Sequence, residues 1–226
     1  MLVVIEGIDG SGKGTVTKQL VELLRDTELQ VDTLSFPRYG ETLGGKLVGR
    51  YLNGEFGEQT HPYLHGNLYS LDRLESKPFL EAAIQYNDVV LCDRYITSNL
   101  CYSALKAEDH ERDEVVKYFV DLEYGVMKMP VPDVIFFLDV PVKFAVKNIA
   151  KKAARDYTSQ AADIHEADEK YLANVRSFYA SKLMDFHPGT RFETIKCERN
   201  GHLIPIDAVV EKVQKVLFQM IQRKDV

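Results

Sequence analysis

The chain has 226 residues, of which 45% are hydrophobic and 27% are charged, and its formal net charge is −6 at pH 7. This length suffices for one α/β domain with a sizeable core, and the acidic balance argues against a general nucleic-acid-binding surface. No apolar run reaches the roughly 20 residues that a membrane helix needs. The start lacks the basic stretch of a signal peptide, and the three cysteines show neither disulfide nor zinc spacing. We therefore expect a cytoplasmic protein that contacts neither nucleic acid nor a membrane.

The first fifteen residues predict a phosphate-binding loop. An apolar run, Leu2–Ile5, predicts a strand, and the amphipathic stretch Val16–Arg25 predicts a helix. Glycines between them let backbone N–H groups converge on phosphate oxygens, and the helix directs the positive end of its dipole to the same place. A chance glycine cluster is the alternative, and the flanking strand and helix argue against it. The candidate phosphate-binding residues are Gly7, Ile8, Asp9, Gly10, Ser11, Gly12, Lys13, Gly14 and Thr15.

Lys13 provides the main functional side chain of this loop, and Gly14 departs from the usual loop sequence. Lys13 can reach the β- and γ-phosphates of a nucleotide, so it is a candidate catalytic residue. Gly14 occupies the position at which Ser or Thr normally ligates Mg²⁺, and Thr15 follows one place late. The loop alone therefore leaves open how the metal is held.

Four further strands and six further helices are predicted along the rest of the chain. The strands span Leu29–Phe36, Asp88–Cys92, Val134–Val140 and Phe192–Lys196. The helices span Lys46–Leu52, Tyr63–Tyr86, Asp113–Tyr124, a stretch that begins at Pro141, Ile164–Met184 and Ile206–Gln222. Because strands and helices alternate about five times, we expect an α/β protein of the P-loop NTPase fold, with a five-stranded parallel sheet and helices on both faces. Since no repeat or linker interrupts the pattern, residues 1–226 are expected to form a single domain.

Charged residues stand at the C-terminal ends of three predicted strands. Asp9, Arg38, Asp93 and Arg94 all occupy such positions, where ligands bind in parallel sheets. Two guanidinium groups on one rim suit a second anion beside the loop phosphates, although surface salt bridges are the alternative. Asp9 and Asp93 are candidate Mg²⁺ ligands, directly or through water. A capping role is the alternative for Asp9.

Tyr69 and Arg73 lie four residues apart, on one face of a predicted helix. An aromatic ring and a guanidinium group in this arrangement can stack on a base and hydrogen-bond to its edge. Simple helix packing is the alternative for both side chains.

A basic stripe follows the predicted fourth strand. Lys147, Lys151 and Arg155 recur at four-residue spacing, and the polar stretch after them has few large apolar groups to anchor it. This pattern favours a small lid, approximately residues 147–166, that closes over a transferring phosphoryl group. A solvated basic face is the alternative.

With these residues in place, the chain resembles the thymidylate kinase family through almost its whole length. The segments that carry the resemblance are Glu6–Lys13, Phe36–Gly40, Leu68–Arg73, Asp93–Asn99 with Tyr102, Pro132–Asp133, and Asp163–Glu166 with Tyr171 and Tyr179. The resemblance implies phosphoryl transfer from ATP to dTMP, which gives dTDP and ADP for dTTP biosynthesis, with Mg²⁺ and usually in a homodimer.

The resemblance also implies roles for individual residues. The residues implied to bind dTMP are Asp9, Arg38, Tyr39, Tyr69, Arg73, Arg94, Asn99, Tyr102 and Glu166. Among them Tyr69 stands where the family usually has Phe, and its hydroxyl must find a partner. We expect Tyr102 to lie against the 2′ position of the sugar and so to favour deoxyribose, with a core aromatic role as the alternative.

Some thymidylate kinases carry an arginine inside the phosphate loop, at the position of Gly10. Because that cation is missing here, we expect the lid to supply it, through Arg155 with Lys151 in support. The candidate catalytic residues are thus Lys13, Arg38, Arg94, Arg155 and Lys151.

Two other functions compete with this interpretation. A deoxynucleoside monophosphate kinase of broader specificity is one, since Gly-Lys-Gly-Thr at residues 12–15 is similar to adenylate kinases. A nucleotide-gated regulatory protein that hydrolyses ATP slowly is the other. Release of ADP that depends on an acceptor nucleotide separates a kinase from a regulator.

Overall fold

A computed structural model describes residues 1–57, 60–151, 169–181 and 189–224. Five parallel strands form its central sheet: β1 (Leu2–Glu6), β2 (Val31–Ser35), β3 (Val89–Asp93), β4 (Val134–Asp139) and β5 (Arg191–Lys196). Their order in the sheet is β2-β3-β1-β4-β5. The three central strands are apolar apart from their last residues, Glu6, Asp93 and Asp139, and they are buried except at Asp93 and Asp139. Such continuous apolar runs are expected where helices cover both faces of a sheet, and the predicted fold class is confirmed.

Eight helices are described around the sheet. They are α1 (Lys13–Arg25), α2 (Leu43–Leu52), α3 (Pro62–Tyr86), α4 (Ile96–Ala104), α5 (Arg112–Val120), α6 (Val142–Ala150), α7 (Glu169–Ser181) and α8 (Ile206–Lys224). Helices α1 and α8 pack on each other, and α4 contacts α3, α5 and α7. In α1 the buried residues Val16, Leu20 and Leu24 recur every four positions, so one apolar stripe faces the core. Within the described residues, no helix is long and apolar enough to cross a membrane.

Helix α4 was not predicted from the sequence, because it begins with the β-branched residues Ile96 and Thr97 and has no local capping residue. Its cap comes from a distant part of the chain. The Glu6 carboxylate, at the end of β1, accepts hydrogen bonds from the backbone N–H groups of Tyr95 (2.9 Å) and Ser98 (3.1 Å). These donors belong to the first turn of α4, which would otherwise have no helical acceptor.

The segment predicted as one helix over Asp113–Tyr124 changes form part-way. Helix α5 ends at Val120, and Asp121–Val126 continues as a π-helical turn. This wide turn carries Glu123 into the interior, where its side chain is fully buried. Turns of this kind are rare and are often found at functional sites.

A short antiparallel hairpin between β5 and α8 was also missed. It pairs β6 (Glu198–Arg199) with β7 (His202–Leu203). Asn200 and Gly201 connect them, both with positive φ (53° and 80°). An Asn-Gly pair is the strongest local signal for such a two-residue turn, so the sequence did contain the information.

The register of the sheet brings the predicted strand-end residues to one edge. Ile5 pairs with Asp93 on one side and with Phe136 on the other, and Ser35 also pairs with Asp93. The loops that follow β1, β2 and β3 therefore leave the sheet side by side. This confirms the expected convergence at the C-terminal ends of the strands.

Candidate active site

The loop between β1 and α1 is held in shape by its glycines and by α6. Gly10 (φ 76°) and Gly12 (φ 88°) both adopt the left-handed backbone conformation that side chains disfavour. A Cβ atom on Gly10 would lie only 2.2 Å from the carbonyl oxygen of Ala145 in α6. From the same helix, the Asn148 side-chain nitrogen donates to the Gly10 carbonyl at 2.8 Å. The loop is thus a tightly packed turn that opens at the N-terminus of α1, where anions bind favourably.

Lys13 lies almost buried inside this turn, with 7% of its surface exposed. Its Nζ donates to the carbonyl oxygens of Gly7 and Ile8, both at 3.0 Å. Burial, followed by the neighbouring positive charge of Arg94, lowers the pKa of Lys13 to about 8, although Asp9 partly opposes this. The negative charge of a phosphate group bound in the loop would favour the protonated form of Lys13, so the site suits an anion.

Asp9 joins the phosphate loop to the acceptor side of the site. One carboxylate oxygen is ion-paired with Arg94, and the other accepts a hydrogen bond from the Tyr102 hydroxyl at 2.9 Å. The Arg94 guanidinium also lies 5.5 Å from the centre of the Tyr102 ring. Burial by itself lowers the pKa of Arg94, but the surrounding acidic groups, Asp9 foremost among them, together outweigh burial and hold the pKa well above its usual value. Asp9 therefore orients both groups.

Glu6 supports this arrangement from behind and was not recognised as a functional candidate. Besides capping α4, its carboxylate accepts hydrogen bonds from the hydroxyls of Ser98 (2.7 Å) and Tyr179 (2.8 Å). Ser98 in turn accepts a hydrogen bond from Arg94 at 3.1 Å. Burial raises the pKa of Glu6, while the positive charge of Arg94 opposes the rise. The only sequence signal for this role was the position of Glu6 directly before the glycine-rich segment.

A cavity opens beside Asp9 and Arg94 and extends toward α3. It is lined by apolar and aromatic side chains together with a few polar and charged ones, as small-ligand sites usually are. Apolar walls come from Phe36, Leu52 and Tyr95. Seven of the nine residues expected to bind dTMP line it: Asp9, Tyr39, Tyr69, Arg73, Arg94, Asn99 and Tyr102.

The end of the cavity far from the phosphate loop is polar and buried. Arg73 is 2% exposed, and its Nε and Nη2 donate to the two carboxylate oxygens of Glu123, both at 2.5 Å. Burial by itself lowers the pKa of Arg73, but Glu123 raises it above the ordinary value. Asn99 also donates to Glu123, at 2.9 Å. The ion pair with Glu123 thus holds the Arg73 guanidinium at the wall of the cavity.

Comparison with known proteins identifies the family. A family model described as thymidylate kinase matches residues 5–190 of the chain. The thymidylate kinase of Mycobacterium tuberculosis is 31% identical over 181 residues, which are 80% of this chain and 84% of that protein. The chain belongs to the thymidylate kinase family.

More distant thymidylate kinases agree with this assignment. That of Plasmodium falciparum is 29% identical over 191 residues, covering 82% of this chain and 85% of that protein. The solved structure of thymidylate kinase from Candida albicans aligns with 96% of this chain and 91% of its own, with a TM-score of 0.71 and 21% identity. At that identity the likeness shows the shared fold.

Arg38 differs from the other residues implied by the thymidylate kinase resemblance. Among the described residues it does not line the cavity. Its guanidinium is ion-paired with Glu41, lies 3.3 Å from the Ser76 hydroxyl and covers the Phe79 ring at 5.1 Å. The shared anion site for Arg38 and Arg94 therefore stays a prediction that requires Arg38 to leave Glu41.

Two predicted thymidylate kinase residues, Arg155 and Glu166, lie outside the described residues. Lys151 is described: it follows the last turn of α6 and is exposed. Its exposure is compatible both with a solvated face and with a lid cation. The lid interpretation is therefore neither supported nor contradicted by α6 itself.

The metal-binding prediction rests on Asp9 and Asp93. In the described part of the chain, no group of three His, Cys, Asp or Glu side chains could hold a metal ion. Asp93 lies against the start of α1, with its Oδ2 3.3 Å from the position that a Cβ on Gly14 would take. The protein thus offers carboxylates beside the loop rather than a complete metal cage.

Proposed function

We propose that the protein transfers the γ-phosphoryl group of ATP to dTMP and forms dTDP and ADP, in the supply of dTTP. The observation that carries the proposal is the shared position of Asp9 and Arg94. Both line the cavity, and Asp9 belongs to the glycine-rich loop. A phosphate bound at Arg94 would therefore lie beside a triphosphate bound at Lys13. No observation favours the broader-specificity kinase over this function.

At the phosphate end, the reaction needs in-line positioning and neutralisation of charge. An oxygen of the dTMP phosphate forms the new bond to the γ-phosphorus, while the bond from that phosphorus to the β–γ bridging oxygen breaks and ADP leaves. Lys13 would hold the β- and γ-phosphates, and Arg94 the acceptor phosphate. Arg38 would break its ion pair with Glu41 and bind the acceptor phosphate together with Arg94. Arg155 and Lys151 would add positive charge from the lid.

At the sugar and base end, the cavity walls would select the nucleoside. Tyr69 would stack on the thymine ring, and Arg73 and Asn99 would hydrogen-bond to its edge. The Tyr102 ring, held by its bond to Asp9, would lie against C2′ of the sugar. Tyr39 and, from the lid side, Glu166 are the remaining residues proposed to bind dTMP.

Mg²⁺ would be held by the substrate phosphates together with Asp93, directly or through water, and Asp9 is the second candidate. This fits the preference of Mg²⁺ for a few carboxylates, waters and phosphate oxygens over a complete protein cage. The ion would neutralise charge on the phosphates. Gly14, which lacks the usual hydroxyl ligand, is compatible with binding through water.

We also propose a homodimer. Leu64, Phe79 and Tyr86 of α3 are exposed by 46%, 64% and 74%, and on an ideal helix they fall within an arc of about 60°. A second copy would remove this apolar stripe from water. Light scattering after size exclusion should give twice the 25.7 kDa chain mass, and Tyr86→Glu should shift the mass toward the monomer.

We also propose a cytoplasmic location. The buried, free cysteines Cys92, Cys101 and Cys197 agree with a reducing compartment.

The function is tested by following dTDP formation from dTMP and labelled ATP. Lys13→Ala should abolish transfer in a folded protein, because Lys13 contributes both position and charge. Lys18→Ala is the matched control, since Lys18 lies on the same helix but is exposed. Near-normal transfer by folded Lys13→Ala protein would remove the phosphate-loop interpretation.

A further inference from the structure

A buried hydrogen-bond network lies behind the base end of the cavity. Its centre is the Glu123 carboxylate, which is 0% exposed. One oxygen of Glu123 accepts from Ser70, Arg73 and Asn99, and the other accepts from Arg73. Arg73 and Asn99 also line the cavity, whereas Glu123 does not. Glu123 therefore contacts both polar residues that would meet the base edge without meeting the base itself.

The network determines which way the Asn99 amide faces. Its nitrogen lies within hydrogen-bond distance of three acceptors: Glu123 (2.9 Å), the Gly66 carbonyl (3.1 Å) and the Ser70 hydroxyl (3.1 Å). If the amide were reversed, its oxygen would face the Glu123 carboxylate and the Gly66 carbonyl, and neither of these can donate. Glu123 and Gly66 thus fix the amide with its nitrogen turned inward.

On the other side of the amide, Ser103 does not impose a direction. Its hydroxyl donates to the Asn99 oxygen at 2.9 Å and lies 2.8 Å from Nδ1 of His65. A hydroxyl can accept as well as donate, and a histidine ring can carry its proton on either nitrogen. Both groups could therefore adapt to a reversed amide, so Ser103 serves as a control for Glu123.

The fixed amide gives the cavity a definite hydrogen-bonding polarity. Both Asn99 amide hydrogens are engaged within the protein, so Asn99 has only its oxygen, an acceptor, to offer a base. Arg73 offers only donors. An acceptor beside donors matches the N3–H and O4 of thymine or uracil. It opposes cytosine, which presents an acceptor at N3 and a donor amino group at C4.

We propose that Glu123 is a positioning residue that sets the choice between thymine or uracil and cytosine, by locking Asn99 and Arg73 in complementary orientations. The proposal rests on the proposed function, since it concerns the acceptor nucleotide of that reaction. Glu123 acts through its two partners and does not touch the substrate. Its effect should therefore appear in base selection and not only in overall rate.

The test compares kcat/KM on dTMP, dUMP and dCMP for the unmodified protein, Glu123→Gln and Ser103→Ala. Glutamine keeps the shape of Glu123 but can donate to a reversed Asn99. The dTMP-to-dCMP ratio should fall at least about tenfold, the effect of roughly one hydrogen bond, while the dTMP-to-dUMP ratio stays within about twofold. Ser103→Ala should leave both ratios within about twofold.

A folded Glu123→Gln protein that loses activity equally on all three nucleotides would overturn the proposal, as would an equal shift in Ser103→Ala. Should Glu123→Gln not fold, 5-fluoro-dUMP tests the locked orientation in the unmodified protein, because fluorine acidifies the ring N3–H. As pH rises through that ionisation, kcat/KM for 5-fluoro-dUMP relative to dUMP should fall at least about tenfold. A constant ratio would mean that no acceptor faces N3. Failure to phosphorylate dTMP at all would refute the proposed function instead.

Discussion

Nucleotide binding should protonate Lys13. In the protein alone, burial and then the charge of Arg94 lower the pKa of Lys13 to about 8. At pH 8 about half of the molecules therefore carry a neutral Lys13, and at pH 7 about one in ten. Triphosphate oxygens beside Nζ favour the charged form and raise the pKa again. Binding of a non-hydrolysable ATP analogue should thus take up about half a proton at pH 8 and about a tenth at pH 7, and its affinity should weaken as pH rises past 8.

Isothermal titration calorimetry measures this uptake directly. The apparent binding enthalpy is compared across buffers of different ionisation enthalpy, and the slope gives the number of protons taken up. Lys13→Met reports any protonation change of the nucleotide itself. The reasoning is refuted if the slope at pH 8 is zero, or if Lys13→Met retains it.

Three further predictions concern the sugar, the lid and the phosphate loop. Tyr102→Ala should raise kcat/KM on ribo-TMP relative to dTMP, whereas Tyr102→Phe, which keeps the ring, should not; equal use of both acceptors by the unmodified protein would contradict the role of Tyr102. Arg155→Ala or Lys151→Ala should lower turnover at saturating substrate, by up to about 10³-fold for a transition-state arginine, and the lid hypothesis fails if both stay within about threefold. Gly10→Ala should lower the free energy of unfolding by about 2–5 kcal/mol, because it combines a left-handed backbone with a clash against α6. Denaturant unfolding checks this against Gly40→Ala, where a Cβ meets nothing within 4 Å and stability should not fall.

Local sequence pattern was sufficient to predict most of the sheet and the loop. The apolar runs of β1, β3 and β4 are long enough to identify buried parallel strands, and the glycine spacing identified the turn before α1. Parallel topology then placed Asp9 and Arg94 at one edge. The family resemblance, rather than periodicity, identified Asn99 and Tyr102 as nucleoside-binding candidates, whereas helical spacing had already singled out Tyr69 with Arg73.

The supporting residues could not be predicted in the same way, because their partners are distant in sequence. Glu6 caps α4 through Tyr95, which lies 89 residues later, and Glu123 pairs with Arg73 across 50 residues. Glu123 has no local signal and Glu6 has only its position before the glycine-rich segment, since both roles depend on tertiary contacts. The pairing of Arg38 with Glu41 is local, yet a sequence motif does not show which of several partners a side chain takes.

The most direct test of the central claim is ADP release in the presence of ATP, Mg²⁺ and each candidate acceptor in turn. The protein should release ADP rapidly with dTMP, less efficiently with dUMP and ribo-TMP, and at a background rate with dCMP, AMP or no acceptor. Purified Lys13→Ala protein provides the blank for contaminating kinases. Equal rates with every monophosphate would contradict the assignment to dTMP, and ADP release that needs no acceptor would contradict phosphoryl transfer between nucleotides altogether.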